Sequence, residues 1–451
     1  METIWGTRAR AARSTFLRDS GTLTAAGLAT AVIVVVQGIL VARWLGPAGY
    51  GVVALVSVYP AIAVALLSPD SPHATIRYLA DRDAAGDPLG ALCVCKVAHT
   101  VDAAISLLAF LAVAATAPWA ARHVVHMDAA AGLLVLTAAA FVVASPLEAA
   151  AAVLMHTRRF RLLATEQVGA AAVRSALVIA AVAAGGGAAG AVRAAALATV
   201  VHGVVLASLA AREAKREWGA WWPGARTTTL GPLRGELLRF MIWTDLGGAL
   251  GTATKQLDVV LLGWVSGPAE VGLYRLARSI ASLPGYVVGP LQTAAYPRLA
   301  RQWAESGRAR LREVLRPHAV LGVALAGAGL AGVGALPVVV RLLVGAQYAP
   351  AVGTAQVLLV GSLVWVGLYW LRPAFMAVGE VRAWVTISAV VVAGSSAAFV
   401  PAAVAWGAMG LALVQLAAAI TGHAAALRRL RPLLAQPPAA GMLDRVSVAQ
   451  P

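Results

Sequence analysis

The stretch Trp44-Leu-Gly-Pro-Ala-Gly-Tyr-Gly51 separates two long apolar segments. Glycine adopts positive φ angles without steric cost, and proline fixes φ at about −65°, so this composition favours a tight turn. A short turn between two long apolar segments is typical of a pair of antiparallel helices. We therefore expect the chain to reverse its direction here.

A second turn of the same kind lies 221 residues later, where Gly267-Pro268-Ala269 repeats Gly46-Pro47-Ala48. Three further pairs agree at the same offset, namely Gly51 and Gly272, Leu55 and Leu276, and Arg77 and Arg298. Agreement at one offset over a stretch of this length indicates an internal duplication. The sequence therefore predicts two homologous halves, each with a structural turn, formed by Gly46, Pro47 and Gly51 in one half and by Gly267, Pro268 and Gly272 in the other.

The composition is that of a membrane protein. Hydrophobic residues make up 60% of the 451 and charged residues only 12%, whereas about 25% of residues are charged in ordinary soluble domains. A soluble protein of this length needs far more polar surface, so we predict a chain that crosses the membrane many times. The net charge of +16 does not indicate a nucleic-acid partner, because the basic residues are scattered among short segments at the predicted membrane edges.

Twelve apolar segments are long enough to cross a bilayer as helices, since about 20 residues suffice. Their approximate bounds are residues 22–42, 52–74, 92–117, 130–153, 165–186, 190–210, 240–265, 272–295, 316–337, 353–372, 384–405 and 408–427. They predict an all-α integral membrane fold with twelve transmembrane helices. The matched turns divide these helices into two lobes of six, related by a parallel pseudo-two-fold repeat with a cavity between them.

The longest predicted inner segment lies in the middle of the chain and separates the two sets of six helices. It carries Trp218, Trp221 and Trp222 beside basic residues, a composition typical of the lipid headgroup layer. The predicted organisation is an N-terminal lobe over 1–211, a cytoplasmic linker over 212–238, a C-terminal lobe over 239–427 and a cytoplasmic tail over 428–451.

The distribution of basic residues predicts the orientation. Of the 36 Lys and Arg side chains, 28 lie at the ends or in the loops that the twelve-helix pattern assigns to one side, and six lie at the other side. Lys and Arg collect in cytoplasmic loops. We therefore expect both termini on the cytoplasmic side of the membrane.

Charged and amide side chains inside the predicted spans mark a substrate cavity. A charged residue at the centre of a membrane helix costs about 2.5–3.5 kcal/mol on insertion scales, so it tends to face a cavity or a partner. Arg174 stands out, because no acidic residue lies three or four positions away. The candidates for the substrate cavity are Arg174, Lys255, Arg275, Arg278 and Gln37. Two alternatives stay open, since Lys255 can instead form a structural ion pair with Asp258, and Arg275 and Arg278 can instead reach the outer headgroups.

Three aspartates in the spans are candidates for binding a coupling ion, because a carboxylate can carry a proton or a sodium ion. These are Asp102, Asp245 and Asp258.

The sequence indicates no enzyme, metal site or cofactor. The glycine-rich stretch Gly247–Lys255 lacks the Gly-Lys-Ser/Thr ending of a phosphate-binding loop. Cys93 and Cys95 form a Cys-x-Cys in an apolar segment, which is typical of small buried residues rather than of metal ligands. We find neither a histidine cluster with metal-ligand spacing nor the pattern of a catalytic triad, and we predict no catalytic residues.

Several short motifs, in order along residues 20–425, carry a family resemblance. They are Leu45–Gly51, Ser68–Asp70 with Ile76–Ala80, Leu257–Gly263 with Gly267–Tyr274, Tyr296–Ala300, Leu343–Pro350 and Trp406–Gly410. In these motifs the chain resembles the oligosaccharide flippases of bacterial polysaccharide synthesis, which share a superfamily with multidrug extruders and lipid II flippases.

The resemblance implies a transporter that flips polyprenyl-pyrophosphate-linked oligosaccharide across the bacterial cytoplasmic membrane by alternating access. It implies membrane lipid and the lipid-linked glycan as partners, together with polysaccharide-assembly proteins, and we expect a functional monomer. One alternative is a cation-coupled drug antiporter of the same fold, which a carboxylate-rich cavity would favour. Another is a membrane polysaccharide polymerase or glycosyltransferase, which the short outer segments near 118–129 and 338–352 disfavour, because they cannot house a catalytic domain.

Overall fold

The structure is a computed structural model that describes residues 2–67, 71–224, 235, 256–306 and 308–435. These residues are almost entirely helical and contain no β-strand. The predicted site residues Asp245 and Lys255 lie outside them, as do residues 225–234 and 236–238 of the predicted linker. The helices are α1 (Glu2–Leu67), α2 (Ser71–Ala84), α3 (Pro88–His123), α4 (Ala130–Val143), α5 (Leu147–His156), α6 (Phe160–Ala183), α7 (Gly187–Trp218), α8 (Gln256–Ser266), α9 (Pro268–Ser306), α10 (Arg308–Leu343), α11 (Ala351–Gly367), α12 (Leu371–Val378) and α13 (Val381–Ala435).

Helix α1 contains two predicted spans. Its apolar part, Gly21–Leu67, has 47 residues, which at about 1.5 Å per residue exceeds twice the thickness of a bilayer core. The helix is interrupted at Gly46, where φ is 67° and ψ is 176°. Glycine reaches this backbone conformation without strain. Pro47 follows it in the first turn of the next helix, where a proline is tolerated because a backbone N–H at that position would have no partner within the helix.

Helix α13 shows the same arrangement near the end of the chain. Its apolar part, Val381–Pro432, has 52 residues, and it is interrupted at Gly407, where φ is 57° and ψ is −135°. The two last predicted spans therefore lie on either side of this glycine.

Eight helices in the described residues are long and apolar enough to cross a membrane. Two of them are the kinked α1 and α13, and two others are interrupted. The predicted fourth span consists of α4 and α5, separated at Pro146, and the predicted tenth span consists of α11 and α12. Most of the predicted seventh span lies outside the described residues. The part of that span that the structure describes is the short apolar helix α8.

The chain divides into two compact units, Met1–Arg275 and Leu276–Pro451. In the first unit, α6 packs against α1 and α7, and α4 packs against α3 and α7. A core of buried side chains joins α2, α3, α5, α6 and α7 at one end of the bundle, and it includes the two free cysteines, Cys93 and Cys95.

The second unit is built around α11, which packs against α10 and α13. Its core is aromatic, with the fully buried rings of Tyr369 and Phe375 beside Trp370. His318 donates or accepts a hydrogen bond at 2.8 Å from the hydroxyl of that tyrosine.

The two Gly-Pro turns meet backbone to backbone within the first unit. A Cβ atom placed on Gly51 would lie 1.7 Å from the carbonyl oxygen of Pro268, and one placed on Gly272 would lie 1.9 Å from the carbonyl oxygen of Pro47. The contact is reciprocal, since each glycine faces the proline of the other turn. Only glycine permits so close an approach of two backbones.

Candidate functional site

A small polar cavity lies in the first unit, among α1, α4, α6 and α7. A cavity of about 30 Å³, enough for about one water molecule, is bounded by apolar side chains and by four polar ones. The four polar side chains are those of Ser57, Thr137, Arg174 and Thr199. The cavity lies in the middle of apolar helices, where polar groups are costly unless they have partners or a function.

The guanidinium of Arg174 is the only charged group that lines this cavity in the described residues. Its Nη1 donates a hydrogen bond to the hydroxyl oxygen of Thr199 at 3.3 Å. A guanidinium has five N–H donors and no acceptor, so this bond leaves most of its donors available. The residue is exposed in the structure.

The three hydroxyls of the cavity each donate to the carbonyl oxygen four residues earlier in their own helix. The bonds are 2.7 Å for Ser57, 2.9 Å for Thr137 and 2.9 Å for Thr199. With their protons used in this way, the hydroxyl oxygens present lone pairs to the cavity. They suit the guanidinium as neutral partners and leave its positive charge uncompensated.

No carboxylate in the described part of the chain lines the cavity, and none of the ion pairs found there includes Arg174. A cavity with one cation and no anion attracts a negatively charged ligand. Arginine is the side chain best suited to phosphate, because its planar donors match the geometry of phosphate oxygens.

Gln37, the second cavity candidate from the sequence, lies on the other side of α6. The hydroxyl of the buried Ser175 donates to its Oε1 at 2.7 Å. This bond joins α1 to α6 next to Arg174. Gln37 does not line the cavity, so its contact holds the helix that carries the arginine.

Asp258 makes a short hydrogen bond inside the protein. Its Oδ2 accepts from the hydroxyl of Tyr274 at 2.6 Å, and its Oδ1 accepts from the backbone N–H of Val259 at 2.8 Å. Both the aspartate and the tyrosine are buried. The expected ion pair with Lys255 stays a prediction, because that residue lies outside the described part of the chain.

The remaining candidates do not line the Arg174 cavity. Arg275 and Arg278 are half-buried on α9, and Asp102 is buried on α3. Each of the three has polar or electrostatic interactions of its own. Their assignment to the substrate cavity and to ion coupling stays a prediction.

A buried acidic residue on α6, Glu166, is not among the candidates predicted from the sequence. Glu166 lies beside His202 of α7, with 3.3 Å between Oε2 and Nε2. The signal was present, since an acidic residue inside an apolar span is costly and marks a function or a partner. The neighbouring Gln167 is exposed, whereas Glu166 is buried.

A polar network closes one end of the first unit, where the predicted linker begins. Asp83 accepts a hydrogen bond from the indole N–H of Trp218 at 2.9 Å and contacts His156. Trp218 is buried there. Trp222 stacks on the ring of His99, with 4.7 Å between ring centroids, so the start of the linker packs against the protein.

The described residues hold no group of three or more His, Cys, Asp and Glu side chains placed to bind a metal ion.

Comparison with known proteins shows the fold and the family. The family model for polysaccharide biosynthesis proteins matches residues 16–303, well over half of the chain. No curated relative matches the sequence.

Several solved structures are similar in fold. An inward-facing multidrug resistance MATE family transporter of the MOP superfamily is 16% identical, with 90% of this chain and 95% of that chain covered and a TM-score of 0.64. The lipid II flippase MurJ, in an inward closed conformation, is 10% identical, with 91% and 87% covered and a TM-score of 0.70.

A MOP superfamily transporter from Pyrococcus furiosus, described as having a binding pocket of reverse polarity, is 16% identical, with 94% and 96% covered and a TM-score of 0.55. At these identities the likeness shows the fold alone. Together with the apolar helices, the family match and this fold identify a membrane transporter or flippase. The chain belongs to the polysaccharide biosynthesis protein family.

Proposed function

We propose that the protein flips a polyprenyl-pyrophosphate-linked oligosaccharide across the bacterial cytoplasmic membrane by alternating access. The observation that carries this proposal is the cavity around Arg174, which presents a guanidinium and hydroxyls and no carboxylate from the described residues. The pyrophosphate of such a lipid is anionic, and its glycan is polar. Neither crosses hydrocarbon unaided, so both need a polar path inside an apolar shell.

The charge of the cavity favours this cargo over a cationic drug. A transporter of cationic drugs needs a carboxylate to hold its substrate, whereas a guanidinium repels it. The Pyrococcus furiosus transporter, whose pocket is described as having reverse polarity, supports the view that this fold tolerates a change in pocket charge. The cation-coupled antiporter is therefore the weaker alternative for this chain.

Alternating access requires a point at which parts of the protein close on each other. The reciprocal contact between the turns at Gly51 and Gly272 supplies such a point. In our proposal the two turns belong to two six-helix lobes on the outer side, with both termini in the cytoplasm. Their contact shuts the outer end while the cavity is open to the inner leaflet, and a single chain suffices for the cycle.

Substitution of Arg174 tests the proposal. We expect Arg174→Ala to lower flipping of a polyprenyl-pyrophosphate-linked glycan at least about tenfold in proteoliposomes, because the variant lacks a charge-assisted contact to phosphate. The matched control is Arg193→Ala, which removes an exposed arginine of α7 and should flip like the wild type. Full activity of a correctly inserted Arg174→Ala variant would exclude this cavity as the headgroup site.

A further inference from the structure

Glu166 and His202 form an isolated pair between two membrane helices of the first unit. Glu166 lies one and a half turns into α6, and His202 lies near the middle of α7. The carboxylate is enclosed, with only 5% of its side chain exposed, whereas the imidazole is 31% exposed. One partner is therefore sealed inside the bundle and the other is open at one edge.

The contact between them is incomplete as a hydrogen bond. Oε2 of Glu166 and Nε2 of His202 are 3.3 Å apart, yet Oε2 is buried and has no hydrogen-bond partner among the described residues. An ionised carboxylate that is buried without a hydrogen bond is strongly destabilised. Two changes would remove this cost, namely a proton on Oε2 or a realigned N–H from a protonated imidazole.

We propose that Glu166 and His202 together form a proton-binding site whose occupancy is coupled to the position of α7. A hydronium ion gives its proton to Nδ1 of the accessible imidazole and leaves as water. The Nε2–H bond then breaks as an O–H bond forms on Oε2 of Glu166, which leaves a neutral imidazole with its proton on Nδ1. The ligand of the site is the proton, which either binds Oε2 of Glu166 directly or is shared with it by the imidazole of His202.

We assign proton exchange in this region to Glu166 and His202 after considering the titratable groups on the helices packed against them. Helix α4, which packs on α7, carries no titratable residue. The titratable and charged residues of the other helices packed against α6 and α7 are Arg43, Tyr50 and Tyr59 of α1 from residue 21 onward, Cys93, Cys95, Lys96, His99, Asp102, Arg122 and His123 of α3, and Glu148 and His156 of α5. Helices α6 and α7 themselves also carry Arg161, Arg174, Arg193, Arg212, Glu213, Lys215, Arg216 and Glu217.

Three of these neighbours, His99, His156 and Glu213, have other partners. His99 bonds the Cys95 carbonyl through Nδ1 at 2.7 Å, and His156 contacts Asp83. Glu213 accepts from Arg159 at 2.8 Å and from Arg216 at 2.7 Å.

The position of the pair links proton binding to helix movement. His202 is followed by Gly203, whose added Cβ would lie 2.7 Å from the Cα of Ala144. Ala144 caps α4, just before Pro146 interrupts the span and α5 begins. An interrupted span is a natural bending point. A small shift there moves α7, and with it the alignment of the imidazole with the carboxylate.

The inference rests on the proposed function and deepens it, because a site that binds protons differently in two conformations lets a proton gradient drive or regulate flipping. Proton binding and conformation affect each other reciprocally. In the conformation that aligns Glu166 and His202 as an ion pair, Glu166 gives up its proton, and in the conformation that separates them Glu166 keeps it. This assignment differs from the aspartates Asp102, Asp245 and Asp258 that the sequence offers for ion coupling.

Infrared difference spectroscopy on the purified full-length protein, without cargo, tests proton binding directly. Between about pH 5 and about pH 8, where imidazole changes its charge, we expect a band of a protonated carboxyl group that disappears in Glu166→Gln. His202→Gln should move the pH at which that band forms. The control Glu217→Gln, which alters an exposed carboxylate of α7, should leave the band and its pH dependence intact.

Flipping in proteoliposomes with an imposed pH gradient supplies the second measurement. We expect the wild type to respond to the gradient by about tenfold, within the usual range of coupling, and Glu166→Gln to flip at a rate that ignores the gradient. A carboxyl band unchanged by Glu166→Gln would overturn the proposal. A loss of thermal stability in both variants with an unchanged band would also overturn it, since it would assign the pair a purely structural role.

The two measurements separate this inference from the proposed function. The infrared band does not depend on any cargo, so a protein that fails to flip the glycolipid can still show the proton site. Conversely, an active flippase without the Glu166 band would retain the cargo assignment and lose this one.

Discussion

Arg174 and Glu166 lie on the same helix, about two turns apart, and each contacts a polar side chain of α7. The surroundings of the two charges are opposite. Arg174 is exposed beside empty space and has a neutral threonine as its partner. Glu166 is buried, and its partner is an imidazole that itself binds protons.

The difference shows how one pair of helices can carry two kinds of ionic site. A charge beside open space can bind a mobile ligand of opposite sign, and the hydroxyls around Arg174 hold the guanidinium without neutralising it. A buried carboxylate beside an imidazole is suited to the exchange of a proton. The local packing, rather than the charge alone, therefore decides what each site can bind.

Of the substitutions that test the difference between the two sites, reversal of the charge at position 174 should have the largest effect on flipping. We expect Arg174→Glu to lower glycolipid flipping by about 100-fold, equal to about 2.7 kcal/mol, because a carboxylate repels the pyrophosphate that the guanidinium attracts. Flipping in proteoliposomes measures the effect, and Arg193→Glu introduces the same charge change at an exposed position as a control. A variant that retains flipping and gains uptake of cationic drugs would instead support the antiporter.

Two glycine-to-alanine substitutions test whether the helices pack tightly beside His202. We expect Gly203→Ala to lower the free energy of unfolding by about 1–3 kcal/mol, because its methyl group would lie 2.7 Å from the Cα of Ala144. Gly169→Ala is the control, since a Cβ there meets no atom within 4 Å and the residue lies on α6 between the two sites. Thermal unfolding in detergent measures both, and equal stability of the two variants would contradict tight packing beside His202.

Much of the helical fold could be predicted from the sequence, because composition alone determines that apolar segments of this length become membrane helices. The kinks at Gly46 and Gly407 fall where the pattern places turns between spans. The interruption at Pro146 was not predicted, since the apolar pattern of the fourth span continues through it. A hydropathy pattern records length and apolarity, and it does not record whether a helix stays continuous.

The site was harder to predict, because side chains on adjacent positions of a helix point in different directions. The sequence indicates polar residues at 166 and 167 equally, and only tertiary packing buries Glu166 and exposes Gln167. Asp258 shows the same limit. Its nearest charged neighbour in sequence is Lys255, whereas the structure gives it Tyr274, 16 residues away. Partners that come from another helix require the fold, which spacing along one helix does not contain.

Removal of the Thr199 hydroxyl should have the smallest effect on flipping, because it removes only the neutral hydrogen-bond partner of the Arg174 guanidinium. We expect Thr199→Val to lower flipping by about fivefold, since the loss of one hydrogen bond costs about 1 kcal/mol and frees Arg174 to leave its place in the cavity. The control is Thr165→Val, which removes an exposed hydroxyl of α6 with the same kind of backbone bond. The gradient response through Glu166 should survive in both variants, because the hydrogen bonds of Thr165 and Thr199 do not include Glu166 or His202. If Thr199→Val abolished that response as well, the two sites would act as one unit, and the separation between the phosphate site and the proton site would fail.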